Sequence, residues 1–153
     1  MKFSTGRKAA VLLAGLALLS LATDRASTAG PAALPNPVLV FTRQELFQQG
    51  GKNFMRYNYA VTNSADYPAE LFAAAPQLPP CGTNKKASRT WVDIYDQRGK
   101  RLFGFCELSK PADLDHLWFA LDSDAVPPSW VYIEMTDRAT NTKYKSNLAE
   151  TTN

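Results

Sequence analysis

The 153-residue chain has one histidine and two cysteines, and each scarcity excludes chemistry. One histidine and two distant cysteines fall short of the four ligands that tetrahedral zinc takes. Serine hydrolysis would have to run through His116 beside Asp115, yet no GxSxG elbow is present, and a lone histidine beside an aspartate is ordinarily a surface residue. No P-loop, dinucleotide fingerprint or HExxH sequence occurs. The pairs Asp113/Asp115 and Asp122/Asp124 lack EF-hand spacing, and calcium takes six or more oxygens. The acids are so widely scattered that no pair is singled out for glycoside hydrolysis. No metal or cofactor is expected.

A long hydrophobic run is also lacking. The apolar stretch Ala10 to Leu19 is shorter than the roughly 20 residues a membrane helix needs. It follows Lys2, Arg7 and Lys8 and precedes the small-residue sites Ser20-Leu21-Ala22 and Ser27-Thr28-Ala29. That is the order of a signal peptide over residues 1–29, with cleavage before Thr23 or Gly30; an uncleaved anchor is the competing reading. No cysteine follows Leu13-Ala14-Gly15, so the pattern is not that of a lipoprotein. The expected location is periplasmic or secreted, with no membrane anchor after cleavage.

Excess charge of one sign disappears with that segment. Cleavage at residue 29 takes Lys plus Arg from 17 to 13 and Asp plus Glu from 14 to 13. The mature chain is neutral, which removes the compositional argument for a nucleic-acid partner. About 120 residues remain, the length of one ordinary domain.

What is present centres on Cys81 to Cys106. In an exported chain two cysteines pair, and a loop of this length contributes about 3.5 kcal/mol by the chain-entropy estimate. The alternatives are two free buried thiols or a metal pair. Between the cysteines, Thr90–Asp96 (TWVDIYD) and Lys100–Cys106 (KRLFGFC) are rich in β-branched and aromatic residues. Asp96 suits the start of a type I turn, and Gly99 the left-handed residue that closes it. An unbroken register then sets Ile94 opposite Leu102, Val92 opposite Gly104, Tyr95 opposite Arg101, Asp93 opposite Phe103 and Trp91 opposite Phe105. One face is aliphatic. The other is aromatic but carries Asp93 and Arg101, which are expensive to bury, so the aliphatic face is assigned to the core.

The remaining chain supplies further strands. Gly30–Pro37 is a proline-rich leader and Val38–Thr42 a first strand, followed by a turn over residues 48–52. Phe54–Thr62 alternates, with Met55, Tyr57, Tyr59 and Val61 on one face and Arg56 and Asn58 on the other. Residues 63–88 are irregular. Pro68–Ala75 suits a short helix whose Leu71 and Phe72 cap the core, and a loop this long is either functional or a crossover pinned by a disulfide. Leu114–Leu121 fits helix or strand and is assigned as a strand. Trp130–Asp137 is a strand with Val131, Ile133 and Met135 inward and Trp130, Tyr132 and Glu134 outward. Lys143–Leu148 returns after a four-residue turn, with Tyr144 facing Asp137 and Leu148 facing Ile133, and residues 150–153 are expected to fray.

These elements make an all-β fold, a two-sheet sandwich of about seven strands with a short helix in the 63–88 loop and one domain over residues 38–149. The strand order from Thr90 to Leu148, ending VYIEMTDRATNTKYKSN, resembles the second half of a fibronectin type III or immunoglobulin-like domain. The tryptophan of the fibronectin second strand has no counterpart, so Tyr57 or Tyr59 would fill its place. The words LPPCG, SRTWVDIYD, GFC and LWFAL are similar to those of a family of small exported bacterial proteins; that resemblance implies no activity.

One feature rises above a bare scaffold. If the hairpin and the Trp130 strand share a sheet, its outer face displays Trp91, Tyr95, Phe103, Phe105, Trp130 and Tyr132 among Asp93, Arg101 and Glu134. Aromatics amid polar groups are what contact surfaces use. The competing reading buries these rings under the leader or the 63–88 loop, since large exposed apolar patches are rare on monomers. The expectation is a monomeric, non-catalytic module binding a protein or glycan through this face. The alternative is a small hydrolase or calcium-dependent protein with its site in the 63–88 and aspartate-rich loops.

Overall fold

The fold is taken from a computed structural model that describes residues 33–81 and 87–151. The expected signal segment and the 82–86 stretch lie outside them. Strands β1 (Leu39–Gln49) and β2 (Lys52–Val61) form a long antiparallel hairpin. Its two-residue turn, Gly50-Gly51, has φ of +57° and +76°, a conformation that favours glycine at both positions. The first strand was expected to stop at Thr42. Instead Thr42 is a bulge, and pairing resumes from Arg43↔Asn58 to Gln49↔Lys52. The polar run after Thr42 looks like loop, but β1 is an edge strand whose side chains meet water.

Strand β2 also pairs with β5 (Leu117–Asp122), giving a three-stranded sheet ordered β1-β2-β5. The second sheet holds β3 (Thr90–Asp96), β4 (Arg101–Phe105), β6 (Trp130–Asp137), β7 (Thr142–Lys145) and β8 (Ala149–Glu150), in the order β4-β3-β6-β7 with β8 also on β6. Every pairing is antiparallel. Hairpins within a sheet and crossovers between sheets make an all-β, two-sheet sandwich. There are eight strands among the described residues because the last one breaks at Ser146–Leu148. Across that break the Asn147 side chain acts as a missing strand residue: its Oδ1 accepts Leu39 N–H at 2.8 Å and its Nδ2 donates to Leu39 C=O at 2.9 Å. This ties the two sheets together.

The break also alters the expected end of the chain. Asp137 pairs with Thr142 and Met135 with Tyr144, so Tyr144 keeps its inward face but Leu148 leaves the ladder and is exposed. Glu150, expected to fray, pairs with Trp130, and the backbone N–H of buried Thr151 donates to Ser129 C=O at 3.1 Å.

Between the sheets lie Leu39, Tyr57, Tyr59, Val61, Val92, Ile94, Leu117, Phe119, Val131, Ile133 and Met135, all buried. Tyr57 and Tyr59 both stack on Phe119, with centroids 5.1 and 5.9 Å apart. Burial raises both phenols above the ordinary tyrosine range.

The 62–89 crossover holds two 3-10 turns, Ser64–Asp66 and Ala69–Phe72, and Leu71 and Phe72 cap the core as expected. The stretch between Pro68 and Pro76 is too short to sustain an α-helix. The leader packs onto this crossover: Tyr67 donates its hydroxyl to Pro35 C=O at 2.9 Å, and Leu34 touches the core. The expected Leu114–Leu121 strand is half right. Pro111–His116 is a 3-10 turn and the strand starts at Leu117. Asp113 explains the turn, accepting Ser109 N–H at 2.6 Å, Ser109 Oγ–H at 2.8 Å and Lys110 N–H at 3.1 Å.

Cys81 and Cys106 are disulfide-bonded, with Cα atoms 6.1 Å apart. Nearby, Ala75 N–H donates to Ala87 C=O at 3.1 Å and Arg89 N–H to Ala73 C=O at 2.9 Å. No helix among the described residues is long and apolar enough to cross a membrane.

Candidate functional site

The β3–β4 hairpin decides where the aromatic side chains go. Its turn forms as the sequence predicts: Asp96 Oδ1 accepts the N–H groups of Arg98 (2.9 Å) and Lys100 (2.8 Å), and Gly99 has φ +82°. Tyr95 faces Arg101 as expected. Leu102 is then a bulge, and Ile94 faces Phe103, Asp93 faces Gly104 and Val92 faces Phe105. One extra residue reverses every later side chain on its strand. Phe103 and Phe105 therefore share the side of Val92 and Ile94, contrary to the unbroken register. They reach Trp118 of β5, with ring centroids 4.6 and 6.1 Å away. Gly104 takes the outer position, where an added Cβ would lie 2.0 Å from Arg101 Nη2 and 2.5 Å from Asp93 Oδ1. The glycine is what allows that ion pair to lie flat on the strand.

The six predicted aromatics thus divide. Trp91, Tyr95 and Tyr132 lie on the outer face of the five-stranded sheet. Tyr95 and Tyr132 face each other across β3 and β6 and stack at 5.3 Å, interplanar angle 16°. Lys145 Nζ lies 4.0 Å from the Tyr132 ring centroid, and the Arg138 guanidinium 3.9 Å from that of Trp91. Arg138 also donates to Ser88 C=O at 3.2 Å and to Pro79 C=O, so it joins the Trp91 end of the face to the disulfide-pinned crossover. Asp93 and Glu134 on this face are paired, Asp93 with Arg101 and Glu134 with Lys143, each at 2.6 Å. Burial lifts the Tyr95 hydroxyl above its ordinary range, and the carboxylates of Asp93 and Glu134 add to the rise. The rings are half-buried by this lattice of charged side chains. Trp130, 40% exposed, stands at one end of the face.

Phe103 and Phe105 belong to a second surface. On the outer side of the three-stranded sheet, Phe47 stacks on Phe54 at 5.5 Å, and the Arg56 guanidinium sits 4.6 Å from Phe47 and 4.8 Å from Trp118. Phe54, Phe47, Arg56, Trp118 and Phe103 form one ladder across three strands and onto β4. Sequence reasoning missed Phe47 because its strand looked like loop, and Trp118 because its outward position depends on where β5 starts. The cue available for Phe54 was its alternation with Arg56 and Asn58.

Beside this ladder is a groove of about 240 Å³ where Asp115 and His116 meet Arg43, Glu45, Arg56 and Asn58. At the opposite end of the sandwich, grooves of about 360 and 390 Å³ flank the Val126–Ser129 turn, and Val126 is 90% exposed. The charged group of Asp96 there is used by its own turn. Asp122 and Asp124 share a shallow recess with Lys52 and Asn53. Among the described residues no three His, Cys, Asp or Glu side chains cluster to hold a metal. Asp113 is committed to its turn: burial pushes its pKa up, and the Ser109 and Lys110 hydrogen bonds outweigh that and leave it lowered.

Comparison with protein-family models, curated proteins and solved structures finds no match to this chain.

Proposed function

We propose that this chain is an exported, non-catalytic binding module that engages a protein partner through the outer face of its five-stranded sheet. The observation that carries the reading is the Tyr95–Tyr132 pair, half-buried on the outer face of the five-stranded sheet. Rigid aromatic bodies with polar rims suit protein contacts. A glycan would need open ring faces. Here the inner faces of the pair are turned to each other, and cations lie over Tyr132 and Trp91. Trp130 extends the same surface. The disulfide supports an oxidising compartment, as does the amino-terminal signal pattern. The resemblance to small exported bacterial proteins, carried by LPPCG and SRTWVDIYD, accords with this reading.

The test compares the mature protein with its Tyr95→Ala/Tyr132→Ala variant as baits for exported proteins. The variant should lose the partner while its thermal midpoint changes little. Half-buried tyrosines of a contact face should together cost well below the roughly 3–5 kcal/mol of one buried aromatic. A partner retained equally by both baits, or a variant that unfolds, overturns the assignment of the face.

A further inference from the structure

The groove on the outer side of the three-stranded sheet is a separate feature, and its charges are unevenly matched. Glu45 and Arg56 face each other across β1 and β2, and Arg43, Asn58 and Trp118 form the neighbouring row. The Thr42 bulge sits immediately before Arg43. Asp115 and His116, at the end of the turn that leads into β5, close one end. One carboxylate serves two guanidiniums here: Glu45 lies 3.1 Å from Arg56 and 3.5 Å from Arg43. Asp115 restores formal neutrality but pairs with neither guanidinium, so at the Glu45 end of the groove two guanidiniums share one carboxylate. Arg56 is fixed in place between Phe47 and Trp118, and its Nε is buried without a hydrogen-bond partner. A guanidinium already immobilised loses little further freedom on binding. Asp115 and His116 are exposed and make no hydrogen bond among the described residues.

We propose that this groove binds a small hydroxylated carboxylate, a ligand the size of a single sugar acid. Its carboxylate meets Arg43 and Arg56, which share the single carboxylate of Glu45. Its hydroxyl groups donate to Asp115 and accept from Asn58 or His116. The carboxylates of Glu45 and Asp115 disfavour a dianion such as phosphate. A neutral sugar offers the two guanidiniums no second carboxylate to share. The volume, about 240 Å³, is below the range of drug-sized sites, which restricts the ligand to one ring or a short hydroxy-acid. The inference does not depend on the tyrosine face of the other sheet.

His116 is the only histidine in the chain, so its imidazole Hε1 proton is a unique NMR reporter inside the groove. Glucuronate should shift that signal saturably in the mature, disulfide-bonded protein. Glucose and inorganic phosphate should bind about tenfold more weakly or worse, as expected for loss of a charge-assisted contact. Arg43 is the more exposed of the two guanidiniums, so Arg43→Ala should weaken glucuronate binding by a similar factor with an unchanged thermal midpoint. Asp115→Asn should weaken glucuronate relative to acetate, which has no hydroxyl to lose a contact and should bind no more weakly than before. Equal shifts from glucose or phosphate, glucuronate binding unchanged by Arg43→Ala, or no saturable shift with any probe would each overturn the proposal.

Discussion

Asp137 is buried at the end of β6, and both its oxygens are held. Arg89 Nε and Nη2 donate to Oδ1 and Oδ2 at 2.7 and 2.6 Å, while Ala139 N–H and Thr140 Oγ–H supply 3.0 and 2.8 Å bonds. The Arg89 hydrogen bonds are the main cause of a pKa lowered from 3.8 to about 2; burial opposes it, and Thr140 and Ala139 assist. Because folding depresses this pKa, the unfolded chain binds the proton more readily. The stabilisation is full above the unfolded pKa and is lost as pH falls through about 2. Its size is about 2 kcal/mol. Urea unfolding between about pH 5 and pH 2 should therefore show a steeper decline than that of Asp137→Asn, which is less stable throughout and keeps only the contribution of other carboxylates such as Asp113. Parallel curves for the two proteins would show that the ion pair contributes nothing to acid sensitivity. The residue scale is also where the sequence was least legible. Nothing in ASRT or MTDRAT distinguishes Arg89 and Asp137 from other charged residues, because their meeting depends on β3 and β6 being neighbours.

At the scale of elements, the strand cores were readable and the bulges were not. Alternation in Phe54–Thr62, Thr90–Asp96 and Trp130–Asp137 assigned the inner faces because each strand has one buried side and a period of two. The bulges at Thr42 and Leu102 each insert one residue without a marker such as glycine or proline, and each reverses the strand beyond it. That is why Phe103 and Phe105 were placed with Tyr95 when they lie against Trp118. The register itself can be tested by deleting Leu102. In the bulged pairing the deletion straightens the ladder and leaves Phe103 opposite Ile94 and Phe105 opposite Val92. Only the half-buried Leu102 side chain is lost, about 1–2 kcal/mol, and the protein should remain folded with its disulfide closed. In an unbroken register the same deletion would turn Phe103, Phe105 and Cys106 to the wrong face, and unfolding or two free thiols would exclude the bulge.

At the scale of the molecule, the sandwich and its disulfide were legible because composition, turn spacing and cysteine count all point to them. The candidate sites were less so, since each gathers residues from strands far apart in sequence: Tyr95 with Tyr132, and Arg43 with Asn58 and Trp118. The disulfide spans 25 positions and pins the crossover between the two sheets. It is not the only restraint there. Leu71, Phe72 and Ala75 are buried, Ala74 bridges Ser88, and Arg138 holds the carbonyls of Pro79 and Ser88. Residues before Pro76 are thus anchored by the core, whereas Pro76–Pro80 depend mainly on Cys81 and Arg138. Cys81→Ser/Cys106→Ser should cost about 3.5 kcal/mol, lowering the thermal midpoint by roughly 10 °C or more without abolishing the fold. Hydrogen exchange should quicken at Leu78, whose N–H donates to Ala75 C=O, and stay slow in Val92, Ile94, Ile133 and Met135, whose side chains are buried in the core. If the double variant instead exchanges freely throughout, the crossover is required for the sandwich to form, and the two sheets do not hold each other unaided.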